Sequence, residues 1–547
     1  MENKKIVIVG GVATGASCAA RLRRLDEHAT IVMVEKSGYI SFANCGLPYH
    51  ISGVIQERED LLLQTPQDFY DRFRVDVRIR SEVMNIDRTH KKITIYDHEK
   101  QTQYEESYNV LVLATGSEPF VPPIAGTTLP GVFTLRNVED MDRIMQHLDT
   151  QQSKRAVVVG GGAIGLEVAE NFAHRKLDTT IIELADHVIA PIDGDMAAQV
   201  HAHLQENGIQ LRLNTGVTGI TANEKELLVQ IGEDQLATDL VILSIGVRPD
   251  TKLAKEAGLE LTPRGHIIVN EAMQTSDPAI YAGGDAIAVT DFVSGALASI
   301  PLAGPANKHG RIIADRIAGI ESSYQKTQGT AILQVFDLTV AMTGNNERLL
   351  QNQKIAYDKL YLFPNSHASY YPGAQQISMK VLFEKETGRL LGAQMVGTEG
   401  VDKRMDVFAT AMRAKMTITD LKDLELCYSP VYSSAKDPLN MIGFLGENVL
   451  TKKASQFYLE QLPDLANAQL IDIRTKEEYD EGHIPGASHI DVNTLREKLE
   501  TLDASQPVYV YCQVGVRGYI AARILAQHGF AAFNLAGGYR LYELNKK

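Results

Sequence analysis

The stretch "KRAVVVGGGAIGLEVAENFA" (residues 154–173) establishes the fold class of this chain. It has the pattern of an apolar strand, a glycine-rich turn and a helix, and the next strand, "DTTIIEL" (178–184), follows directly. The turn has the spacing G-x-G-x-x-G, formed by Gly160, Gly162 and Gly165. Such glycines permit a tight turn, a close approach of pyrophosphate and tight helix packing, so the pattern predicts a bound dinucleotide.

An acidic residue, Glu183, ends the second of these strands. A carboxylate at this position accepts hydrogen bonds from a ribose 2′-OH and repels a 2′-phosphate. The sequence therefore favours NADH over NADPH at this site.

A second unit of the same kind begins the chain, "KKIVIVGGVATGASCAARLRRL" (4–25). Gly10 and Gly15 match the glycine pattern, Val12 occupies the middle position, and Glu35 supplies the acid. The two units form an approximate repeat about 150 residues apart. By itself the first turn is also compatible with a tight connection that binds no nucleotide.

Composition excludes several classes of function. A length of 547 residues predicts about three or four domains. The net charge of −14 argues against a general nucleic-acid or membrane-surface binder. No apolar run reaches the roughly 18 residues of a membrane helix, and the first residues show no signal peptide, so we expect a cytoplasmic protein. Its four cysteines form no C-x-x-C pair, and no metal site is predicted.

Three further segments, "LATGS" (113–117), "IGVRPD" (245–250) and "TSDPAIYAGGDA" (275–286), carry a family resemblance. In order and spacing they resemble the accessory motifs of the two-dinucleotide flavin reductases, over about residues 1 to 445. The resemblance implies FAD at the first site and NADH at the second. The FAD contacts implied are Asp285, which holds the ribityl chain, and Ala114, Thr115 and Gly116.

Cys45 lies in "GYISFANCGLPY" (38–49), with Tyr49 and His50 where glutathione-reductase-like relatives have a second cysteine. A lone cysteine here resembles the branch that contains NADH oxidases, NADH peroxidases and CoA-disulfide reductases. Ala13 stands where the peroxidases have a histidine, which argues against peroxide cleavage. Cys18 and Cys427 are interpreted as structural.

Basic and aromatic residues favour coenzyme A as the partner of Cys45. Arg21 and Arg24 share one helix face and Arg72 lies beside Phe73, a combination that suits phosphates and adenine, although a solvated basic face has the same pattern. "HASYYPGA" (367–374) and "LCYSPVYSSAKDPLN" (426–440) resemble segments of the CoA-disulfide reductases. There, tyrosines of the partner subunit in a homodimer reach the redox cysteine. The implied catalytic tyrosines are Tyr370 and Tyr428, with Tyr371 and Tyr432 as alternatives, and the other implied CoA contacts are Ser17, Ser41, Asn44 and Lys436.

The C-terminal segment "CQVGVR" (512–517) joins a strand to a helix. Successive backbone N–H groups of such a loop, together with Arg517, stabilise a negatively charged sulfur on Cys512. With "LIDIRTKEEYDEGHIPGASHI" (470–490) and "NLAGGYRLY" (534–542), the loop resembles the rhodanese family over about residues 455 to 547. Cys512 is therefore the candidate persulfide carrier. Its loop is neutral at Gln513, Val514 and Val516, so thiosulfate need not be the donor.

The predicted fold is α/β, with two Rossmann-like dinucleotide-binding domains, an α+β dimerisation domain and a C-terminal rhodanese domain. The predicted limits are 1–120 with 245–324 for FAD, 121–244 for NAD(P)H, 325–446 for dimerisation, 447–457 for a linker, and 458–547 for the rhodanese domain.

The sequence predicts an NADH-dependent reductase of CoA persulfide, polysulfide or CoA disulfide, acting through Cys45. Two alternatives stay open. One is an NADH oxidase or peroxidase with a sulfur-sensing appendage, and the other is a persulfide carrier with a regulatory flavin module.

Overall fold

The structure is a computed structural model that describes residues 4–465 and 468–546. The outermost residues of the predicted domain ranges (1–3 and 547) and residues 466–467 lie outside the described part. The described chain divides into two compact units. The first comprises residues 4–186 and 208–329, and the second comprises 187–207 and the rest of the chain from 330.

The first unit contains two five-stranded parallel sheets, one for each glycine-rich turn. In spatial order, the strands of the first are Ile280–Ala282, Val110–Leu113, Lys5–Val9, Thr30–Val34 and Val75–Arg78. Those of the second are Gln210–Arg212, Asp178–Ile182, Arg155–Val159, Leu240–Leu243 and Val132–Phe133. Inner strands such as Lys5–Val9, Val110–Leu113 and Leu240–Leu243 are near-continuous Val/Ile/Leu runs because both faces of a parallel sheet are covered.

Small residues allow two helices to pack closely against the first sheet. Helix Ala13–Leu25 contacts helix Ala303–Ile317, and a Cβ at Gly310 would lie 2.4 Å from the Thr14 carbonyl oxygen. Cys18 lies in this contact with no exposed surface, and its burial raises the pKa of the thiol. This buried position agrees with the prediction that Cys18 has a packing role.

The remaining elements of the first unit form short sheets and connecting helices. Its antiparallel strands are Ser81–Asp87, Lys92–Asp97 and Thr102–Ser107; Val217–Ala222, Leu227–Ile231 and Asp234–Thr238; Ser117–Pro119 with Val247–Pro249; and Val289–Thr290 with Leu297–Ala298. Its other helices are Leu47–Ser52, Pro66–Phe73, Val138–Gln151, Ala163–His174 and Lys252–Glu256, with 3₁₀ turns at Asn44–Gly46, Arg58–Leu61 and Gly284–Ala286.

The second unit combines an antiparallel sheet with a parallel one. The antiparallel strands, in spatial order, are Ala331–Val335, Leu338–Gly344, Leu390–Gly397, Ser378–Glu384 and Tyr357–Leu362. The parallel strands are Gln456–Phe457, Ala532–Leu535, Val508–Tyr511, Gln469–Asp472 and Ser488–His489. The helices are Gly194–Glu206, Glu347–Asn352, Val401–Arg413, Pro438–Leu450, Lys476–Glu481, Val516–Gln527 and Gly538–Leu544, with 3₁₀ turns at Asp420–Asp423, Leu459–Leu465, Leu495–Glu497 and Leu499–Thr501.

The parallel sheet of the second unit belongs to a C-terminal domain that packs on the antiparallel sheet. Tyr361 and Phe363 form one buried apolar cluster with Ala536 and Leu541. At the edge of this contact, Lys359 Nζ lies 2.8 Å from a carboxylate oxygen of Glu460. The C-terminal domain is therefore held by packing as well as by its covalent connection.

The expected α/β architecture is confirmed, including two Rossmann-like sheets and the two smaller sheets that follow them. One boundary differs from the sequence prediction. Helix Pro438–Leu450 extends to residue 450, whereas the predicted linker begins at residue 447. Its apolar face, with Leu439 and Ile442 fully buried, extends the packing of the antiparallel sheet.

Candidate active site

The second glycine-rich turn connects strand Arg155–Val159 to helix Ala163–His174. Gly160 has a φ of +110°, and a Cβ there would lie 2.2 Å from the Ser244 carbonyl oxygen, so a side chain is excluded. A Cβ at Gly165 would lie 2.1 Å from the Gly160 carbonyl oxygen, whereas a Cβ at Gly162 would meet no atom within 4 Å. The space beside Gly162 fits a pyrophosphate at the helix N-terminus.

The first turn has the same construction although its middle glycine is replaced. Gly10 has a φ of +101°, and a Cβ there would lie 2.2 Å from the Ala114 carbonyl oxygen. A Cβ at Gly15 would lie 1.9 Å from the Gly10 carbonyl oxygen. Val12 is the N-cap of helix Ala13–Leu25. The replacement therefore leaves the backbone path of a dinucleotide turn intact.

The two acids at the strand ends make matching contacts. Each carboxylate of Glu35 and Glu183 accepts two backbone N–H groups. The donors to Glu35 are Gly11 and Ser37, both at 2.8 Å. The donors to Glu183 are Gly161 at 2.6 Å and Ala185 at 2.8 Å. A carboxylate held this way keeps lone pairs for ribose hydroxyls, so both turns fit a dinucleotide.

Asp285 lies on the 3₁₀ turn Gly284–Ala286, close to the "LATGS" segment. Its carboxylate accepts a hydrogen bond from Ser117 Oγ at 3.0 Å and lies 3.6 Å from the Arg136 guanidinium. Thr115 Oγ1 donates to the Asp250 carbonyl oxygen at 2.5 Å. A Cβ at Gly116 would lie 3.2 Å from Arg136. The predicted FAD contacts Ala114, Thr115, Gly116 and Asp285 thus come from two neighbouring strand ends of one sheet.

Cys45 is exposed on the 3₁₀ turn Asn44–Gly46. The segment before it is attached to the first glycine-rich turn, because the Ser41 N–H donates to the Gly11 carbonyl oxygen at 2.9 Å. The Asn44 amide, in its better-satisfied orientation, accepts from Arg136 at 3.2 Å. These contacts bring Ser41, Asn44 and Cys45 to the turn predicted to bind FAD.

Burial and two neighbouring charged groups influence the acidity of Cys45. Burial raises the pKa of its thiol, the Glu167 carboxylate raises it further, and the Arg136 guanidinium lowers it. Glu167 lies on helix Ala163–His174, and burial together with Glu170 raises its own pKa to about 7. Burial and the nearby carboxylates raise the pKa of Tyr49 to about 12. The cysteine is thus accessible, and opposing charges set how readily it ionises.

The predicted CoA contacts of the first unit occupy different environments. Arg21 is paired with Asp315, whose carboxylate lies 2.9 Å from the guanidinium. Ser17 Oγ donates to the Asn307 side chain at 2.5 Å. Arg24 and Arg72 are exposed and make no ion pair within residues 4–465 and 468–546. Two of the three predicted arginines are therefore available to an anion, and the third has a carboxylate partner.

The predicted aromatic residues of the second unit form an exposed group. The hydroxyl oxygens of Tyr370 and Tyr428 lie 3.0 Å apart, and this hydrogen bond raises the pKa of Tyr370. The Tyr371 ring packs edge-on against His367 at 5.8 Å. Tyr432 is 70% exposed, and Lys436 is also exposed. The structure thus brings the two predicted catalytic tyrosines into contact with each other.

Cys512 lies at the end of strand Val508–Tyr511, directly before helix Val516–Gln527. It is only 1% exposed, and its Sγ accepts a hydrogen bond from the Gly515 N–H at 3.1 Å. The segment after the last strand closes the loop, since Tyr539 N–H donates to the Cys512 carbonyl oxygen at 2.8 Å. The sulfur therefore lies in a backbone cradle at a helix N-terminus.

Arg517, in the first turn of that helix, is held by Glu478. Both guanidinium nitrogens donate to the Glu478 carboxylate at 2.6 Å, and this pair raises the pKa of Arg517 and lowers that of Glu478 to about 2. The nearby Cys512 side chain contributes further to the raised pKa of Arg517. Arg474 is buried on Asp472 and donates to the Gln513 side chain at 3.1 Å. The cradle is thus braced by two arginines with carboxylate partners.

Four residues at these sites are not predicted from the sequence: Arg136, Glu167, Arg474 and Glu478. A signal was present for Glu478, because Thr475 and Glu478 form a capping box of the recognisable pattern T-x-x-E. Glu167 lies inside the stretch 154–173, but no local pattern connects it with Cys45. Cys427, interpreted as structural, is instead exposed.

Comparison with known families agrees with this architecture. Residues 4–310 match the family model described as pyridine nucleotide-disulphide oxidoreductase, and residues 330–438 match the dimerisation domain of that family. Residues 455–545 match a rhodanese-like domain. The chain belongs to the pyridine nucleotide-disulphide oxidoreductase family and carries a C-terminal rhodanese-like domain.

Individual relatives match either the whole chain or most of it. Reduced Bacillus anthracis CoADR-RHD is 46% identical, with a TM-score of 0.97, over 100% of this chain and 98% of that one. A NAD-dependent persulfide reductase from A. fulgidus is 34% identical, with a TM-score of 0.92, over 98% of this chain and 100% of that one. Coenzyme A disulfide reductase of Staphylococcus epidermidis is 36% identical over 441 residues, which are 80% of this chain and 99% of the relative.

Family membership confirms the prediction of an oxidoreductase that uses FAD and NAD(H), and both glycine-rich turns fit such groups. Within residues 4–465 and 468–546, no cluster of histidine, cysteine and acidic side chains could hold a metal ion. None of the helices in the described chain is both long and apolar enough to cross a membrane.

Proposed function

We propose that this protein is an FAD-dependent NADH reductase of coenzyme A persulfide, polysulfide and coenzyme A disulfide. Cys45 is the proposed nucleophile, and Cys512 is the proposed carrier of sulfane sulfur. The observation that carries the proposal is the exposed thiol of Cys45 on a turn attached to the first dinucleotide turn. Relatives named for coenzyme A disulfide and persulfide reduction support the choice of substrate.

Cys45 performs the first chemical step. Its thiolate attacks the CoA sulfur of a CoA persulfide, forming a Cys45–CoA disulfide and releasing hydrosulfide. With CoA disulfide the same attack releases one CoA thiolate. When bound, NADH and FAD would supply the two electrons that return Cys45 to the thiolate and free the CoA held in the mixed disulfide.

The surrounding residues bind and orient the substrate in this proposal. Arg21, Arg24 and Arg72 bind the CoA phosphates, and Ser17, Ser41, Asn44 and Lys436 complete the contacts. In a proposed homodimer, Tyr370 or Tyr428 of one subunit protonates the thiolate that leaves Cys45 of the other, with Tyr371 and Tyr432 as alternatives. A raised pKa keeps the Tyr370 hydroxyl protonated and able to donate.

The Cys512 thiolate attacks the outer sulfur of a persulfide or polysulfide and releases the donor thiolate or the shortened polysulfide. The sulfur bound to Cys512 then passes to CoA thiol or to Cys45, and Cys512 leaves as the thiolate. The closed cradle around its Sγ and the Arg517 guanidinium stabilise a negatively charged sulfur. The Glu183 carboxylate repels a 2′-phosphate, so NADH is preferred over NADPH. We place this chemistry in the cytoplasm, where free thiols persist.

The experiment that tests the proposal is anaerobic NADH oxidation by the flavin-loaded protein, with CoA persulfide and CoA disulfide offered in parallel and sulfide recorded. Turnover on either substrate, with one sulfide per NADH for the persulfide, is expected. Absence of turnover on both, or turnover only with oxygen or peroxide, would overturn it. Sedimentation equilibrium tests the homodimer separately.

A further inference from the structure

The loop that carries Cys512 (residues 512–517, called the Cys512 loop here) contacts the antiparallel sheet of the second unit. Val514, in this loop, packs against the apolar cluster that joins the sheet to the C-terminal domain. Two side chains from the sheet side, Tyr361 and Phe363, belong to the cluster and are 5% and 7% exposed. The Cys512 loop is therefore supported in part by a domain other than its own.

A second contact links the Cys512 loop to Phe363. The Arg540 N–H donates to the Gln513 carbonyl oxygen at 2.9 Å, and the Arg540 guanidinium carbon lies 5.5 Å from the centre of the Phe363 ring. A guanidinium over an aromatic face is attracted by the negative charge of that face. Gln513 and Val514, the two residues that follow Cys512, are thus both connected to the cluster that contains Phe363.

The peptide unit after Val514 carries the hydrogen bond to the sulfur. The Gly515 N–H donates to Cys512 Sγ at 3.1 Å. Because a peptide unit is planar, the direction of this N–H depends on the position of the Val514 Cα. A displacement of Val514 therefore changes the hydrogen bond that the sulfur accepts.

The residues on either side of Val514 are held by the C-terminal domain itself. Asn534 Nδ2 donates to the Gly515 carbonyl oxygen at 3.1 Å, and Arg474 donates to the Gln513 side chain at 3.1 Å. Val514, by contrast, contacts the cluster shared with the sheet. Its side chain is thus the part of the loop through which the sheet acts.

We propose that Phe363 is a positioning residue for Cys512. By packing in the cluster it fixes Val514, and through the peptide unit between Val514 and Gly515 it directs the Gly515 N–H at the sulfur. The inference rests on the proposed role of Cys512 as a sulfur carrier, since this hydrogen bond stabilises the thiolate that attacks the donor. The antiparallel sheet therefore contributes to the sulfur-transfer site without donating any group to the sulfur.

The charged groups around the Cys512 loop are unchanged by a substitution at Phe363. They are Arg517 paired with Glu478, Arg474 paired with Asp472, and Arg540. A change in the ionisation of Cys512 in such a variant therefore reports the geometry of the loop.

The test is the pH dependence of iodoacetamide labelling of Cys512 in the full-length protein, measured by peptide mass spectrometry. Phe363→Ala is expected to raise the midpoint of the labelling rate by about one pH unit, because the thiolate loses a hydrogen bond from a fixed donor. Below both midpoints, sulfur transfer from glutathione persulfide to cyanide should be about tenfold slower, since one unit is a tenfold change in thiolate fraction. The labelling midpoint of Cys45 in the same digest should not move.

Three further variants separate positioning from general loosening of the domain contact. Val514→Ala should raise the midpoint as Phe363→Ala does, and the double variant should raise it no further than the larger single change, because both remove one contact. Phe363→Leu keeps an apolar side chain in the cluster and should stay close to the wild-type midpoint. Leu459→Ala removes packing from the same cluster at a residue outside the Cys512 loop, so it should leave the midpoint unchanged.

Three outcomes would overturn the proposal. They are an unchanged midpoint in both Phe363→Ala and Val514→Ala, additive shifts in the double variant, and an equal shift in Leu459→Ala. Labelling requires no turnover, so each of these outcomes is distinct from failure of the proposed sulfur transfer. That failure would appear as a wild-type protein that forms no thiocyanate from glutathione persulfide.

Discussion

Cys45 and Cys512 are the two proposed sulfur-handling residues, and the protein holds them in opposite ways. Cys45 is exposed on a short turn, and its acidity results from Glu167 and Arg136, which lie far from it in sequence. Cys512 is 1% exposed, with its sulfur bonded to the backbone of its own loop. An open thiol accommodates a bulky thiol carrier, whereas a closed cradle accommodates a single additional sulfur atom.

The difference also concerns where each site obtains its charge. The cation beside Cys512 is five residues away in sequence, on the helix that follows the loop, and its carboxylate partner is 39 residues upstream. The charges beside Cys45 come from residues about 90 and 120 positions later in the chain. The Cys512 site is thus largely a local motif, while the Cys45 site depends on the packing of a whole unit.

The largest effect is expected from Cys45→Ser. Because a serine hydroxyl neither ionises near neutral pH nor forms a disulfide, NADH-dependent reduction of CoA disulfide is expected to fall at least about 10³-fold. Cys512→Ser is expected to keep that rate within about twofold. Anaerobic absorbance at 340 nm measures both.

Cys18→Ala is the matched control for loss of a cysteine and is expected to keep the activity. Substantial turnover by Cys45→Ser, or an equal loss in Cys512→Ser, would contradict the division of roles between the two thiols.

A smaller effect is expected from Glu478→Gln, which alters only the Cys512 site. An amide retains the helix cap at Thr475 but loses the two-bond ion pair that orients Arg517. Sulfur transfer from glutathione persulfide to cyanide, measured as thiocyanate, is expected to fall about tenfold. CoA-disulfide reduction should not change. The exposed neighbour Glu477→Gln should affect neither reaction, and an equal loss in that variant would show that Glu478 has no particular role.

Glu167→Gln is expected to change the pH dependence of the Cys45 site alone. The pKa of Glu167 is about 7, so above that pH its negative charge raises the pKa of Cys45. Removing the charge favours the thiolate, so the midpoint of the alkylation rate against pH is expected to move down by about half a unit. Iodoacetamide labelling with peptide mass spectrometry reads Cys45 and Cys512 together. An upward shift, or a matching shift at Cys512, would refute this account.

The smallest effect concerns the stability of the C-terminal domain. The folded pKa of Glu478 is about 2, below its usual 4.5, so its ion pair stabilises the fold above about pH 4.5 and loses this effect as the pH falls toward 2. With both side chains about 30% exposed, the contribution is about 1 kcal/mol or less. Calorimetry should show a melting-temperature gap of about 2 °C between wild type and Glu478→Gln at pH 7. The difference in melting temperature should narrow below pH 4.5. A difference that widens there would contradict the proposed stabilisation by the ionised Glu478.

Much of the fold and part of each site could be predicted because their signals are local. The turns at Gly10 and Gly160, the acids Glu35 and Glu183, and the loop from Cys512 to Arg517 each lie within about 30 consecutive residues. Backbone geometry within such a span depends on residue type, since glycine alone fits where a Cβ would overlap a carbonyl oxygen. The roles assigned to individual site residues stay predictions.

The exposure of Cys427 could not be predicted from local sequence patterns. Its neighbours in sequence, Leu426 and Tyr428, are compatible with packing, so the sequence predicts a structural cysteine. Its exposure depends on how the segment before helix Pro438–Leu450 lies against helix Val401–Arg413. That arrangement results from long-range packing, which no local pattern contains.

The sequence by itself determined the α/β class, the order of the domains, the two dinucleotide turns and the position of the two cysteines proposed to handle sulfur. Only the tertiary structure decided which charges surround Cys45, which tyrosine hydroxyls meet, and which cysteines are exposed. Turns and caps arise from the conformational preferences of neighbouring residues, so they can be recognised in the sequence. The electrostatic environment of a side chain depends on groups brought close by folding, because Coulomb interactions depend on distance in space and not on separation along the chain.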